Sequence, residues 1–414
     1  MRKSSLLLLL FIFIAGGFAQ AQYDIVIKNG HVIDPKNNIN TVMDVAIKDG
    51  KIAKVAKGIS TDGAKQVVDA SGLYVTPGLI DIHTHDFFGN HRDQYLMDGY
   101  TAIDPDGFTF RTGVTTVVDA GSSGWRTFPL FKKQTIDGSK TRVLAFLNIV
   151  GEGMRGGAYE QNVHDMDAKM AALTARRYRK YIVGFKTAHF EGGWTAVDSA
   201  VAAGKMAGVP VMVDFGGSNP PLSIRELFFD HLRPGDIFTH CYGQLRSREF
   251  IVDTTTGKVK PFVFEARKRG IIFDVGYGGI SFSFSQAIPA IKDGFPPNSI
   301  STDLHKGSMN AAMKNIDNVM SKMLVIGMDL PDVIKATTWN PAQEIHREEL
   351  GNLSVGSGAD VAILRVRTGD FGYFDYTGYK VKGDKRIECD MTLRDGRVVY
   401  DLNGIASPIV ISSE

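Results

Sequence analysis

Residues 76–85 read TPGLIDIHTH. After a Pro-Gly pair comes a short run of leucine and isoleucine, the composition of a strand buried on both faces, and it closes on histidines at 83 and 85. Side chains repeat with a period of two along a strand. Both imidazoles therefore stand on one face, placed to chelate a single ion. Seven further apolar runs follow: GVTTVVDAG (113–121), RVLAFLNI (142–149), YIVGFK (181–186), VPVMVD (209–214), GDIFTH (235–240), GIIFDV (270–275) and NSISTD (298–303). Helix-compatible stretches fill the gaps. Eight buried strands alternating with helices over roughly 230 residues predict an α/β fold, a parallel (β/α)8 TIM barrel, which typically needs about 250. A doubly wound open sheet is the alternative, but no Gly-rich dinucleotide fingerprint follows the first strand.

The flanks differ in style. YDIVIKNGHVIDP, VMDVAIKDGKIAKVA and KQVVDASGLYVTPG precede the barrel, and SGADVAILRV, RIECDMTLRDG and RVVYDLNG follow it. All alternate apolar and polar residues around Asn-Gly or Asp-Gly turns. The two ends are expected to pair as one small β-sandwich domain, 22–77 plus 345–414, around a barrel at 78–344. The connection from Cys241 to Arg269 is polar and basic and reads as an exposed loop followed by a helix.

The opening MRKSSLLLLLFIFIAGGFAQAQ has a basic start, an apolar run from Leu6 to Ile14 and then Ala19-Gln20-Ala21, the pattern of a secretory signal peptide (1–21) cleaved after Ala21. That run falls short of the roughly 20 apolar residues a membrane anchor needs. The chain is expected to be exported, periplasmic or secreted, with no membrane anchor after cleavage. Its two cysteines, Cys241 and Cys389, lie far apart and read as core residues, not as a disulfide. A net charge of +2 over 414 residues, with no basic run, gives no footprint for nucleic acid and directs attention to a small-molecule substrate. A homo-oligomer is compatible with this composition.

The polar residues concentrate at strand ends. His83 and His85 close the first strand, Lys186 the fourth, Asp214 the fifth, His240 the sixth and Asp303 the eighth. Barrel enzymes build their active sites at that C-terminal face. Three imidazoles converging with carboxylates form a ligand set that suits zinc or a similar divalent ion. Asp214, after the apolar VPVMV, is a carboxylate that burial forces to be protonated, hydrogen-bonded, paired or metal-bound.

The motifs TPGLIDIHTH, GVTT (113–116), VGFKTAH around Lys186, THC (239–241), ISTDLH (300–305), TWNPAQ (338–343) and GNLSVGSGADVAIL (351–364) resemble those of the amidohydrolase superfamily, in their order and spacing. Within it, the chain is most similar to the dihydroorotase-like branch and its N-acyl amino acid deacetylases. The resemblance implies one or two zinc or other divalent ions. His83 and His85 would hold the buried one, an N-carboxylated Lys186 would bridge, and His240 and the fifth-strand residue would hold the second. Asp303 would bind the first metal and act as general base and acid while a metal-activated hydroxide attacks an amide carbonyl. The family places a histidine where this chain has Asp214. Coordination by Asp214, a hydrogen-bonding role beside a single metal, no site role, and loss of the second metal all stay open, and His189 is a candidate substitute ligand.

For substrate binding, position after the strands nominates Arg155, Tyr242 and Tyr277, with His91 and Arg92 after the first strand; Arg155 could clasp a carboxylate through two parallel hydrogen bonds. The sequence HTHDFF lacks the arginine that dihydroorotases carry after His-x-His, which argues against dihydroorotate. The expected activity is deacylation of an N-acyl amino acid or related acyl compound. The alternatives are a peptidase, lactonase or cyclic-amide hydrolase on the same scaffold, or an inactive barrel serving as a binding module.

Overall fold

A computed structural model describes residues 22–91, 101–214, 221–245 and 248–407, with side chains omitted at 90 and 91. Segment 1–21, where the signal peptide was expected, and Arg92 lie outside the described residues, as does the side chain of His91. Five strands come first: β1 (Tyr23–Asp34), β2 (Ile39–Lys48), β3 (Lys51–Ala56), β4 (Ala64–Asp69) and β5 (Tyr74–Pro77). The seven strands of a second sheet follow: β6 (Leu79–Thr84), β7 (Val114–Gly124), β8 (Arg142–Asn148), β9 (Ile182–Thr187), β10 (Val211–Val213), β11 (Ile237–Phe238) and β12 (Ile272–Phe273). The chain ends in β13 (Val361–Phe374), β14 (Lys380–Arg394) and β15 (Arg397–Asp401).

Strands β6 to β12 lie side by side in sequence order, every neighbour parallel, in one curled seven-stranded sheet. Each strand of this sheet coincides with one of the apolar runs. Both faces are buried, as continuous apolar runs require. Ile80, Ile82, Val118, Ala120, Leu144, Phe146 and Met212 pack in one cluster. The alternate residues Leu79, Val117, Val143, Ala145, Leu147 and Val211 belong to the larger core.

Helices fill the gaps, among them α1 (Ala168–Arg177) and α2 (Thr195–Ala207). The carboxylate of Asp167 caps α1 by accepting from the amides of Lys169 and Met170, and Arg176 and Arg177 sit at the negative end of its dipole.

The eighth run, 298–303, forms no strand of its own. It makes parallel bridges instead, Asp274 to Ser299 and Thr84 to Leu304. The amides of Val275 and Tyr277 donate to the carbonyls of Ser299 and Ser301. On the other side His85 donates to Leu304, and Leu304 to His83.

The terminal segments make a separate sheet, largely antiparallel, in the order β15-β14-β13-β5-β1-β2-β3 with β4 on β1. All its strands are hydrogen-bonded as one sheet, where a sandwich of two was expected. Its core mixes Ile25, Val32, Val45 and Val75 with Val361, Ile363, Met391 and Leu393. The connection after β11 holds a small ribbon, Val252–Asp253 against Lys258–Val259, and then α3 (Pro261–Arg269). Cys241 and Cys389 are both free and buried. Among the described residues no helix is long and apolar enough to cross a membrane.

Candidate metal centre and active site

The strand register levels the ends of the sheet. Thr187 pairs with Val213, Val213 with Phe238, and Phe238 with Phe273. The residues that follow, Asp214, Thr239-His240 and Asp274, therefore stand along one rim. Lys186, one residue before that level on β9, is fully buried.

Two groups face each other on the rim. In the first, Asp303 Oδ1 lies 3.0 Å from His85 Nε2 and 3.7 Å from His83 Nε2, and the donor atoms of the three residues all fall within 4.8 Å of one another. In the second, Asp214 Oδ2 lies 3.2 Å from His240 Nε2. The rings of His83 and His240 are 5.0 Å apart, and Lys186 Nζ reaches His83 Nε2 at 2.9 Å between the groups.

What fixes the rings is behind them. His83 Nδ1 donates to Thr239 Oγ1 at 3.0 Å, because the Thr239 hydroxyl already donates to Asp274 Oδ2 at 2.7 Å. His240 Nδ1 donates to the carbonyl of Gly276. His85 Nδ1 lies 2.9 Å from Ser122 Oγ. With Nδ1 anchored, His83 turns Nε2 towards Lys186 Nζ and Asp303, and His240 turns Nε2 towards Asp214. Imidazoles held through Nδ1 with carboxylates alongside are the usual donor set for a divalent metal. The residues present fit such an ion.

Electrostatics agree. Burial, reinforced by the neighbouring Lys186, holds His83 well below the usual imidazole range, so it stays neutral. Burial also lowers Lys186, only partly offset by Asp214 and Asp303. Burial works to raise the Asp303 carboxyl, but the hydrogen bond it accepts from His85 and its imidazole-rich surroundings outweigh it, and the net shift is downward. At Asp214 burial is likewise outweighed, by His240, Lys186 and His189. Three residues at this rim, His189, His240 and Asp303, hold left-handed backbone with φ of 56°, 56° and 51°. Such conformations cost energy in non-glycine residues and cluster at functional sites.

The structure thus brings His83, His85, Lys186, Asp214, His240 and Asp303 together. It does not bring two of the proposed substrate contacts there. Tyr242 and Tyr277 are fully buried, and their hydroxyls donate to the carbonyls of Phe295 and Phe374. Both side chains turn from the rim into the packing around it, where a phenol has to find a backbone partner. Arg155 is partly exposed; its guanidinium lies over the Tyr159 ring and Nη1 donates to Glu152 at 3.2 Å.

Sequence reading also missed residues. Asp274 closes an apolar run as Asp214 does, so the same buried-charge signal was present at GIIFDV. Arg248 is buried, 4.0 Å from Asp214 Oδ1, with nothing in its local sequence to mark it.

No family model matches the chain. A curated deacetylase from Brucella anthropi is 34% identical over 343 residues, 80% of this chain and 81% of its own. The chain belongs to the dihydroorotase-like deacetylases of the amidohydrolase superfamily. Solved structures of an adenine deaminase and a dihydroorotase superpose with TM-scores of 0.82 and 0.79, each 29% identical, covering 92% and 91% of this chain and 100% and 99% of theirs. This amidohydrolase is accordingly a hydrolase of carbon-nitrogen bonds other than peptide bonds, in a family that commonly uses divalent metals, and among the described residues His83, His85 and Asp303 form the cluster whose donor atoms lie within 4.8 Å of one another.

Proposed function

We propose that the protein removes the acyl group from an N-acyl amino acid or a related small amide. The observation that carries this reading is the facing pair of donor groups, His83, His85 and Asp303 against His240 and Asp214, with a buried Lys186 whose ammonium is disfavoured between them. A neutral amine is the form that takes up carbon dioxide. As a carbamate, Lys186 would be an anionic bridge between two zinc ions, where an ammonium would be repelled. Bound there, a divalent ion lowers the pKa of water from 15.7 to about 7 and polarises a carbonyl oxygen.

The chain supplies the rest. Asp303, ionised because its carboxyl is shifted downward, accepts the proton from the attacking water and returns it to the leaving nitrogen. Its backbone is held by Ser308, whose hydroxyl donates to the Asp303 carbonyl at 2.7 Å. Thr239 and Gly276 keep the rings of His83 and His240 in the ligating tautomer. Arg155, in the loop after β8, is the candidate to clasp a substrate carboxylate.

The same reading includes closure of the curled sheet into an eight-stranded barrel, supported by the hydrogen bonds of 298–304 to both edge strands, with domain limits at 77/78 and 344/345. It also includes export directed by residues 1–21.

A panel of N-acetyl amino acids, dipeptides and lactones, offered to protein reconstituted with zinc and bicarbonate, tests the activity. Release of carboxylate and free amine from the acylated amino acids is expected. Turnover of only the dipeptides or lactones refutes deacylation, and a protein that holds no metal after reconstitution refutes the metal chemistry.

A further inference from the structure

The replacement of the fifth-strand histidine by Asp214 leaves the second donor group one imidazole short. Three residues beyond Lys186, on the neighbouring strand's loop, His189 points a ring nitrogen at the same carboxylate. Its Nε2 lies 3.8 Å from Asp214 Oδ2, the oxygen that His240 Nε2 approaches at 3.2 Å. Ligands bonded at about 2.0–2.1 Å to a tetrahedral ion stand roughly 3.3 Å apart. The His240 separation matches that figure to about 0.1 Å and the His189 separation exceeds it by about 0.5 Å; among the described residues only His83, His85 and Asp303 already bring three donor atoms within 4.8 Å of one another, so the His189 ring would close on the ion as it binds.

His189 is also held as a ligand is held. Its Nδ1 donates to Glu160 Oε2 at 2.8 Å, and the Glu160 side chain is 2% exposed. Glu160 is itself fixed by the Gly156 amide, which donates to its other oxygen at 2.7 Å. The next residue, Gln161, donates to the His189 carbonyl at 2.7 Å. Residues 160 and 161 thus fasten one histidine from two sides. A carboxylate accepting from one ring nitrogen while the other faces a carboxylate-lined site is the arrangement found behind metal-bound histidines. The left-handed backbone that His189 shares with His240 and Asp303 is a second, independent sign that it belongs to the rim.

We infer that His189, oriented by Glu160, is a ligand of the second metal ion, and that it supplies from the loop after β9 the imidazole that β10 lacks. Asp214 and His240 complete that ion's protein ligands beside Lys186. The inference rests on the two-metal reading above and deepens it. Glu160 is a positioning residue, since it acts through the His189 ring.

Equilibrium dialysis of the full chain against chelator-buffered zinc, read by elemental analysis, tests it; the visible bands of cobalt-substituted protein report the second ion's coordination. Wild type should hold two ions. His189→Ala should keep the first and release the second at least ten-fold more readily, with added imidazole restoring it.

Glu160→Gln provides a variant that leaves the fold in place. Its amide can accept from only one of the two groups Glu160 now serves. If it donates to Nδ1, the ring proton moves to Nε2 and blocks coordination. About 10–100-fold weaker retention of the second ion is expected.

Wild type holding one ion, or His189→Ala holding two with unchanged affinity and cobalt spectrum, overturns the assignment. None of these readouts involves substrate. Deacylation by wild type beside unchanged metal binding in His189→Ala sinks the ligand alone, whereas selective loss of the second ion in His189→Ala beside an inactive wild type sinks the proposed activity alone.

Discussion

Replacing Thr239 by valine removes one oxygen and keeps the branched shape of the side chain. That oxygen accepts from His83 Nδ1 at 3.0 Å and donates to Asp274 Oδ2 at 2.7 Å. Asp274 retains hydroxyl donors from Ser299 and Ser301, at 2.9 and 2.7 Å, so the group left stranded is the buried N–H of His83. A buried donor without a partner costs about 1–3 kcal/mol. The ring escapes this by moving its proton to Nε2, the atom that must be bare to bind an ion. Loss of such an outer partner weakens metal binding by about 10–100-fold, or roughly 1.4–2.7 kcal/mol. Zinc retention against a competing chelator, measured beside a thermal melt, should show Thr239→Val losing the ion that His83 holds while Thr239→Ser, which keeps the hydroxyl, behaves nearly as wild type. Equal retention in all three proteins, or equal loss in both variants, would refute the role of the hydroxyl.

Other perturbations are as definite. A Cβ on Gly276 would stand 2.2 Å from Thr239 Oγ1 and 2.9 and 3.0 Å from the Nδ1 atoms of His240 and His83, at a φ of +45°. Overpacking of about 1–3 kcal/mol and a left-handed penalty of about 1–2 kcal/mol should make Gly276→Ala unfold at clearly lower temperature, and an unchanged Tm would show that the rim yields freely. Lys186→Ala should lose metal and activity, and short carboxylic acids such as propionate should restore part of both by supplying bridging oxygens; restoration by none of them counts against the carbamate. Burial raises the Glu344 carboxyl from 4.5 to about 8, with Asp274 adding to the rise and Ser299 opposing it. Its folded value lies above its unfolded one, so stability falls as pH climbs from 4.5 through about 8, where the unfolded chain sheds a proton that the folded chain keeps. Denaturant titrations at pH 5 and 8 should show a smaller fall for Glu344→Gln than for wild type, and equal falls would dismiss Glu344 as the source.

The rim was legible because its information is one-dimensional. An apolar run ending in a polar residue marks a strand end, and parallel strands in sequence order bring such ends to one edge; His83, His85, Lys186, Asp214, His240 and Asp303 were found this way. Tyr242 and Tyr277 show where that reading stops. Once the chain leaves the strand the period-two alternation no longer sets direction, and these phenols turned inward to backbone carbonyls. Arg248 and Glu160 carry no periodic signal and reach the rim from irregular segments. The hairpin style of both chain ends announced β structure, yet local alternation does not say which strands pair, so the single sheet emerged only from the structure.

That single sheet ties distant stretches of chain together. Thr76 on β5 pairs with Ala362 on β13, and the amide of Gly78 donates to the Asp360 carbonyl at 2.8 Å, immediately before β6 begins with Leu79. The strand that carries His83 and His85 is therefore moored at its root by residues nearly three hundred positions later. Contacts of such separation close late, because the loop entropy must be met before they form. Early in folding β5 has an open edge, the kind of template on which chains aggregate. A cut or frameshift before Val361 would free that edge and slacken the first ligand strand, so damage far from the rim in sequence would register as lost metal before it registered as a lost domain.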